Sequence, residues 1–243
     1  MDKKNLFYSH NGVSFKGYLA YNAATTEKRP AILIAHAWRG QDDFARQKAE
    51  ELAAMGYIAL AADFYGNSKE VQSTKEAAAL MLPLFQDRAL LLARMQAAFT
   101  ALQAYPLVDA SRIGGIGFCF GGLSIIELFR SGTPRLAAAS FHALLWTQTG
   151  DIQAHVLPLA KNIQGSILIL HGYDDPSVSE ADIQTTQKEL NDAHIDWQMH
   201  IFGGTMHAFM VPGTDSPGSG LKYNKRSAER AWKQMIAFFR EKL

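Results

Sequence analysis

Gly117-Phe118-Cys119-Phe120-Gly121 places the chain's only cysteine between two glycines, at the end of the apolar stretch 113–118. The spacing is that of a strand turning sharply into a helix with a nucleophile at the corner. The corner residue must hold a strained backbone, and side chains two residues to either side would collide. Glycine at both positions removes that clash. The corner side chain then stands above the carboxyl edge of a sheet. A thiol there also sits at a helix N-terminus, whose dipole and free N–H groups favour the thiolate.

Outward from the elbow, β-type runs alternate with helical ones, the pattern of an α/β chain with a mostly parallel sheet covered on both faces. Residues 7–10 and 13–21, joined by Asn11-Gly12, read as an opening hairpin, because Asn-Gly is a strong two-residue turn signal. Strands are expected over 31–36, 57–62, 113–118, 136–142, 166–171 and 197–202. Helices are expected over 42–55, 73–85, 88–104, 178–193 and after the elbow, with Pro83 breaking or kinking the path between two of them and Asp109–Arg112 turning into the elbow strand. Residues 205–223, rich in Gly, Pro and Ser, read as a long loop. Ala228, Ala231, Trp232, Met235, Ile236 and Phe239 then form one stripe at helical spacing. No repeat or low-complexity linker divides the chain, so one domain over 1–243 is expected.

Composition narrows the function classes. The 243 residues are 48% hydrophobic and 19% charged, and 24 Lys and Arg oppose 23 Asp and Glu, which leaves no basic field for nucleic acid. No apolar run has the length of a signal peptide core or a membrane span. A single cysteine forms no internal disulfide, and the expected location is the cytoplasm.

A thiol nucleophile needs a base within hydrogen-bond reach and a carboxylate to orient that base. On an elbow of this kind the acid and the histidine follow the nucleophile in chain order. The loop after the 166–171 strand is Gly172-Tyr173-Asp174-Asp175-Pro176, and the loop after the 197–202 strand holds Gly203-Gly204-Thr205-Met206-His207. Either aspartate could be the acid; the other caps a turn. His36, His142 and His171 each end an expected strand, at the rim of the site. They lack the spacing of metal-ligand pairs, so no metal or other cofactor is expected.

The chain resembles the dienelactone hydrolase family, of the α/β-hydrolase superfamily, on Gly117–Gly122, His171–Gly172, Asp175-Pro176-Ser177-Val178, Gly203–Phe209 and the Asp63-Phe64-Tyr65-Gly66 turn. The likeness runs from the 31–40 strand and loop to the C-terminal helix. It implies an α/β-hydrolase fold and a Cys119–His207–Asp175 triad acting on a small-molecule ester or lactone. It selects Asp175 over Asp174 and implies backbone N–H donors at Trp38 and Phe120 for the oxyanion. Two departures stand out: Ala37 occupies a position where the family carries a glutamate, and no arginine follows His207 in Ala208-Phe209-Met210-Val211. Trp38 and Arg39 are expected to wall the pocket, His36 and His142 to be satisfied histidines or to line it, and Arg88 is either a cation for the substrate or a solvated surface charge. Other readings on the same scaffold are a broad carboxylesterase or thioesterase, a non-catalytic binding protein and a redox sensor at Cys119.

Overall fold

The computed structural model describes residues 1–24, 26–145, 157 and 159–243. Eight strands form one sheet: β1 (Asp2–His10), β2 (Val13–Tyr21), β3 (Arg29–Ala35), β4 (Ile58–Ala61), β5 (Val108–Phe118), β6 (Ala137–Phe141), β7 (Ser166–Gly172) and β8 (Asp196–Phe202). Their order is β1-β2-β4-β3-β5-β6-β7-β8, with β1 and β2 antiparallel and every pair from β4 to β8 parallel. The opening turn behaves as read: Asn11 and Gly12 both take positive φ, 47° and 78°, as a two-residue hairpin requires.

Alternation along the strands sets two cores. In β3, Ala31, Leu33 and Ala35 face one apolar cluster, and Ile32 and Ile34 face the other. The first cluster is covered by α3 (Arg88–Gln103), α4 (Phe120–Arg130) and α5 (Glu180–Asp192), and the second by α1 (Asp43–Ala54) and α6 (Lys225–Lys242). The C-terminal stripe packs as expected and also buries Phe238. No described helix is long and apolar enough to cross a membrane.

Three local expectations need correction. Pro83 lies inside α2 (Thr74–Gln86), and the chain breaks instead at Asp87, whose carboxylate accepts the Leu90 N–H and caps α3. Asp109–Arg112 is an irregular start to β5, with a register shift against β3, because Asp109 captures the Ser111 N–H. Residues 205–223 are not structureless: β9 (Asp215–Ser216) pairs with β10 (Leu221–Lys222).

All the parallel strands end on one edge. The loops after β3, β4, β5, β6, β7 and β8 therefore carry Trp38, Asp63, Cys119, His142, Asp175 and His207 to the same side.

Candidate active site

Cys119 sits at the β5–α4 corner with φ 55° and ψ −116°, a conformation costing a side-chain-bearing residue about 1–3 kcal/mol. Its N–H donates to Phe141 O at 3.0 Å, and its carbonyl accepts from Leu123 N at 3.1 Å. The flanking glycines are required by backbone contact. A Cβ on Gly117 would lie 2.0 Å from Gly121 O, and one on Gly121 would lie 2.1 Å from Ala35 O. The thiol is half-buried.

His207 and Asp175 meet behind it. His207 Nδ1–H donates to Asp175 Oδ2 at 2.7 Å, and both residues are buried. Asp175 Oδ1 accepts the Ser177 N–H at 2.9 Å. Burial pushes the Asp175 pKa up, but the His207 bond and charge outweigh it and leave it below the ordinary carboxylate value. Asp174 is exposed, and its backbone N–H ties this loop to Thr205 O at 2.9 Å. The two aspartates thus divide the work: one faces the histidine, and the other only stitches loops.

Burial also pulls His207 down. The charge of Cys119, the hydrogen bonds with Asp175 and Cys119 and the Asp175 charge more than offset this and lift its pKa to about 10. The arrangement places the His207 imidazole between the Cys119 side chain and the Asp175 carboxylate.

The β9–β10 hairpin fixes this histidine through backbone atoms, which no side-chain pattern announces. His207 N donates to Gly220 O and Lys222 N donates to His207 O, each at 3.0 Å. Gly220 has φ 72°, and a Cβ there would lie 2.2 Å from Pro176 Cγ, beside Asp175. Gly220→Ala is expected to push the histidine and aspartate loops apart. Turnover should fall by about a hundredfold, while Cys119→Ser-type loss of the nucleophile is not involved. A full kcat in Gly220→Ala would contradict this reading.

Trp38 is half-buried in the loop after β3, and no acceptor among the described residues takes its N–H. Phe120 is the first residue of α4, where an N–H has no intrahelical partner. Arg39 donates Nη1 to Gln72 O at 2.6 Å, so its guanidinium is tied to the neighbouring loop.

The strand-end histidines and Arg88 are buried side chains. His36 is 1% exposed, its ring stacked on Phe64 with centroids 3.7 Å apart. His142 is fully buried behind His207, edge-on at 5.1 Å. His171 is likewise buried, and burial lowers the pKa of all three. None of the three is exposed. Arg88 is not a surface charge: it is buried with Nη1 3.5 Å from Glu127 Oε1. Among the described residues, no His, Cys, Asp and Glu side chains form a group able to hold a metal ion.

Comparison with known proteins gives one consistent answer. The model of the dienelactone hydrolase family matches residues 15–243. The "Probable 2-oxo-3-(5-oxofuran-2-ylidene)propanoate lactonase" of Bradyrhizobium sp is 27% identical, over 95% of this chain and 90% of that protein. The solved structure of m3DLH superposes with a TM-score of 0.90 at 34% identity, covering 100% of this chain and 98% of the other. The dienelactone hydrolase-like promiscuous phosphotriesterase P91, from metagenomic libraries, also superposes at 0.90, with 31% identity over 99% and 98% of the two chains.

Proposed function

Because the chain belongs to the dienelactone hydrolase family, we propose that it cleaves activated carboxylic esters and lactones by acyl transfer to Cys119. The observation that carries this reading is the His207–Asp175 bond at 2.7 Å, with Cys119 close enough to raise the histidine's pKa. Residues 1–243 are read as one domain, which the single eight-stranded sheet supports.

In the proposed cycle the Cys119 thiolate attacks the ester carbonyl, and the carbonyl electrons move to oxygen. The N–H groups of Trp38 and Phe120 hold that oxyanion. Collapse breaks the bond to the alcohol, which takes its proton from the His207 imidazolium and leaves a thioester on Cys119. Neutral His207 then removes a proton from water as the water attacks the thioester. The second collapse releases the acid and regenerates the ion pair. With Ala37 in the family's glutamate position, His207 is the group that holds the resting thiolate.

Sulfur sets the substrate range. A thiolate leaves a tetrahedral intermediate more readily than an alkoxide does, so collapse runs backward unless the substrate's own leaving group is good. Aryl esters, enol lactones and thioesters are therefore expected as substrates, and amides are not. The likeness to P91 adds a p-nitrophenyl phosphotriester to the substrates worth assaying.

Rapid quenching during p-nitrophenyl acetate turnover should trap one acetyl group on the Cys119 peptide, seen by mass spectrometry. Turnover of p-nitrophenyl acetate with the acetyl group on another residue, or on none, would refute the thioester route.

A further inference from the structure

We propose that His36 and Tyr65 are positioning residues for the oxyanion donor at Trp38, His36 by holding the Ala37 carbonyl and Tyr65 by holding the Trp38 carbonyl. The inference rests on the acyl-transfer reading above and extends it to two buried residues outside the proposed triad.

The Ala37 carbonyl and the Trp38 N–H belong to one planar trans peptide, so they point in opposite directions. Whatever fixes the carbonyl aims the N–H. His36 Nδ1–H donates to Ala37 O at 2.7 Å, and Gly40 N donates to the same oxygen at 3.2 Å. The carbonyl can only accept, which assigns the proton to Nδ1. On the other side of Trp38, the Tyr65 hydroxyl donates to Trp38 O at 2.9 Å. The peptide planes before and after the Trp38 Cα are thus both clamped.

The clamps are themselves held rigidly. The fully buried Asp63 carboxylate accepts the N–H groups of Lys16, Tyr65, Gly66 and Ser68 at 2.7–3.1 Å, locking the turn that carries Tyr65. The His36 ring lies flat on Phe64, with an interplanar angle of 5°, and edge-on to Tyr65 at 4.7 Å. Tyr65 also stacks on Phe120 at 6.5 Å, so one ring touches the residues bearing both donors.

His36 Nε2 is buried with no partner among the described residues. Its bond to Ala37 O is therefore the one polar task that distinguishes this ring from phenylalanine. Burial holds its pKa down at about 4, so the donor persists at neutral pH.

His36→Phe preserves the stacking and removes the donor; Tyr65→Phe removes one hydroxyl. For p-nitrophenyl acetate, each is expected to lower kcat by about tenfold at unchanged KM. A short-chain aldehyde reports the oxyanion site directly. Its carbonyl carbon bonds to the Cys119 sulfur, and its oxygen becomes the tetrahedral oxyanion. Aldehyde affinity should fall by the same factor as kcat. Iodoacetamide labelling of Cys119, which forms no oxyanion, should keep its rate and pH profile in both variants. His36→Asn, whose amide N–H takes the place of Nδ1–H, should recover most of the activity lost in His36→Phe.

Wild-type kcat and aldehyde affinity in both phenylalanine variants would overturn the proposal. So would a labelling rate that falls in parallel with kcat, since the effect would then run through the thiolate. If His36→Phe fails to fold, Tyr65→Phe decides the question alone. Failure of the acyl-transfer reading is separately visible, as activity surviving in Cys119→Ala.

Discussion

Cys119→Ala is expected to reduce ester hydrolysis to the uncatalysed background, and His207→Ala to lower kcat by about 10⁴-fold. The two losses have different origins, and labelling with iodoacetamide separates them. In the wild type, burial pulls His207 down but the Cys119 and Asp175 partners lift it from 6.5 to about 10, so the imidazolium persists through neutral pH beside Cys119. In His207→Ala the thiol loses that counter-charge, and an unassisted thiol is mostly protonated at pH 6. Labelling at pH 6 should therefore be slower in His207→Ala by more than about tenfold. Equal rates at pH 6 would remove His207 as the activating group, whatever happens to turnover.

The same imidazolium makes stability depend on pH with a definite sign. His207 binds its proton more tightly in the folded state, so its contribution is complete below pH 6.5 and is lost as pH rises towards 10. The wild type should lose more denaturant resistance over that interval than His207→Ala does.

Gly121→Ala is expected to cost about 3 kcal/mol or more, through backbone collision rather than lost chemistry. The added Cβ would lie 2.1 Å from Ala35 O and 2.5 Å from His36 O, atoms that cannot rotate away. Either the elbow helix or the end of β3 must shift. That shift also moves Phe120 relative to Trp38, so turnover should fall further than stability alone explains. A loss of this size lowers Tm by roughly 6–12 °C in a chain of this length. Gly203→Ala is the control, because nothing lies within 4 Å of a Cβ there. Its Tm should stay within about 1 °C of the wild type. A Gly121→Ala protein with wild-type Tm and kcat would show that the contact between elbow and β3 is looser than drawn.

Much of this could be read from the chain because the determinants were local. Glycines two residues either side of Cys119 dictate a corner, Asn11-Gly12 dictates a hairpin, and the alternation in β3 dictates two buried faces. The choice of Asp175 over Asp174 followed from resemblance, and burial supplies its physical reason: Asp174 is exposed and Asp175 faces His207.

What escaped was the fate of groups at the strand ends. His36, His142 and His171 stand at equivalent places in the sequence pattern, yet all three are covered. Periodicity assigns a residue to a face of the sheet and cannot say which loop folds over its end. The task of Gly220 was equally hidden, since the β9–β10 hairpin holds His207 through main-chain atoms that every residue shares.

The sequence by itself therefore determined the elbow that presents Cys119, the order of the loops that carry Asp175 and His207, and the layers of the fold. Only the tertiary structure gave the physical reason for Asp175 over Asp174 and decided which histidines are sealed away and how Trp38 is aimed. Those outcomes depend on contacts between loops far apart in the chain, and packing settles them where local preference is silent.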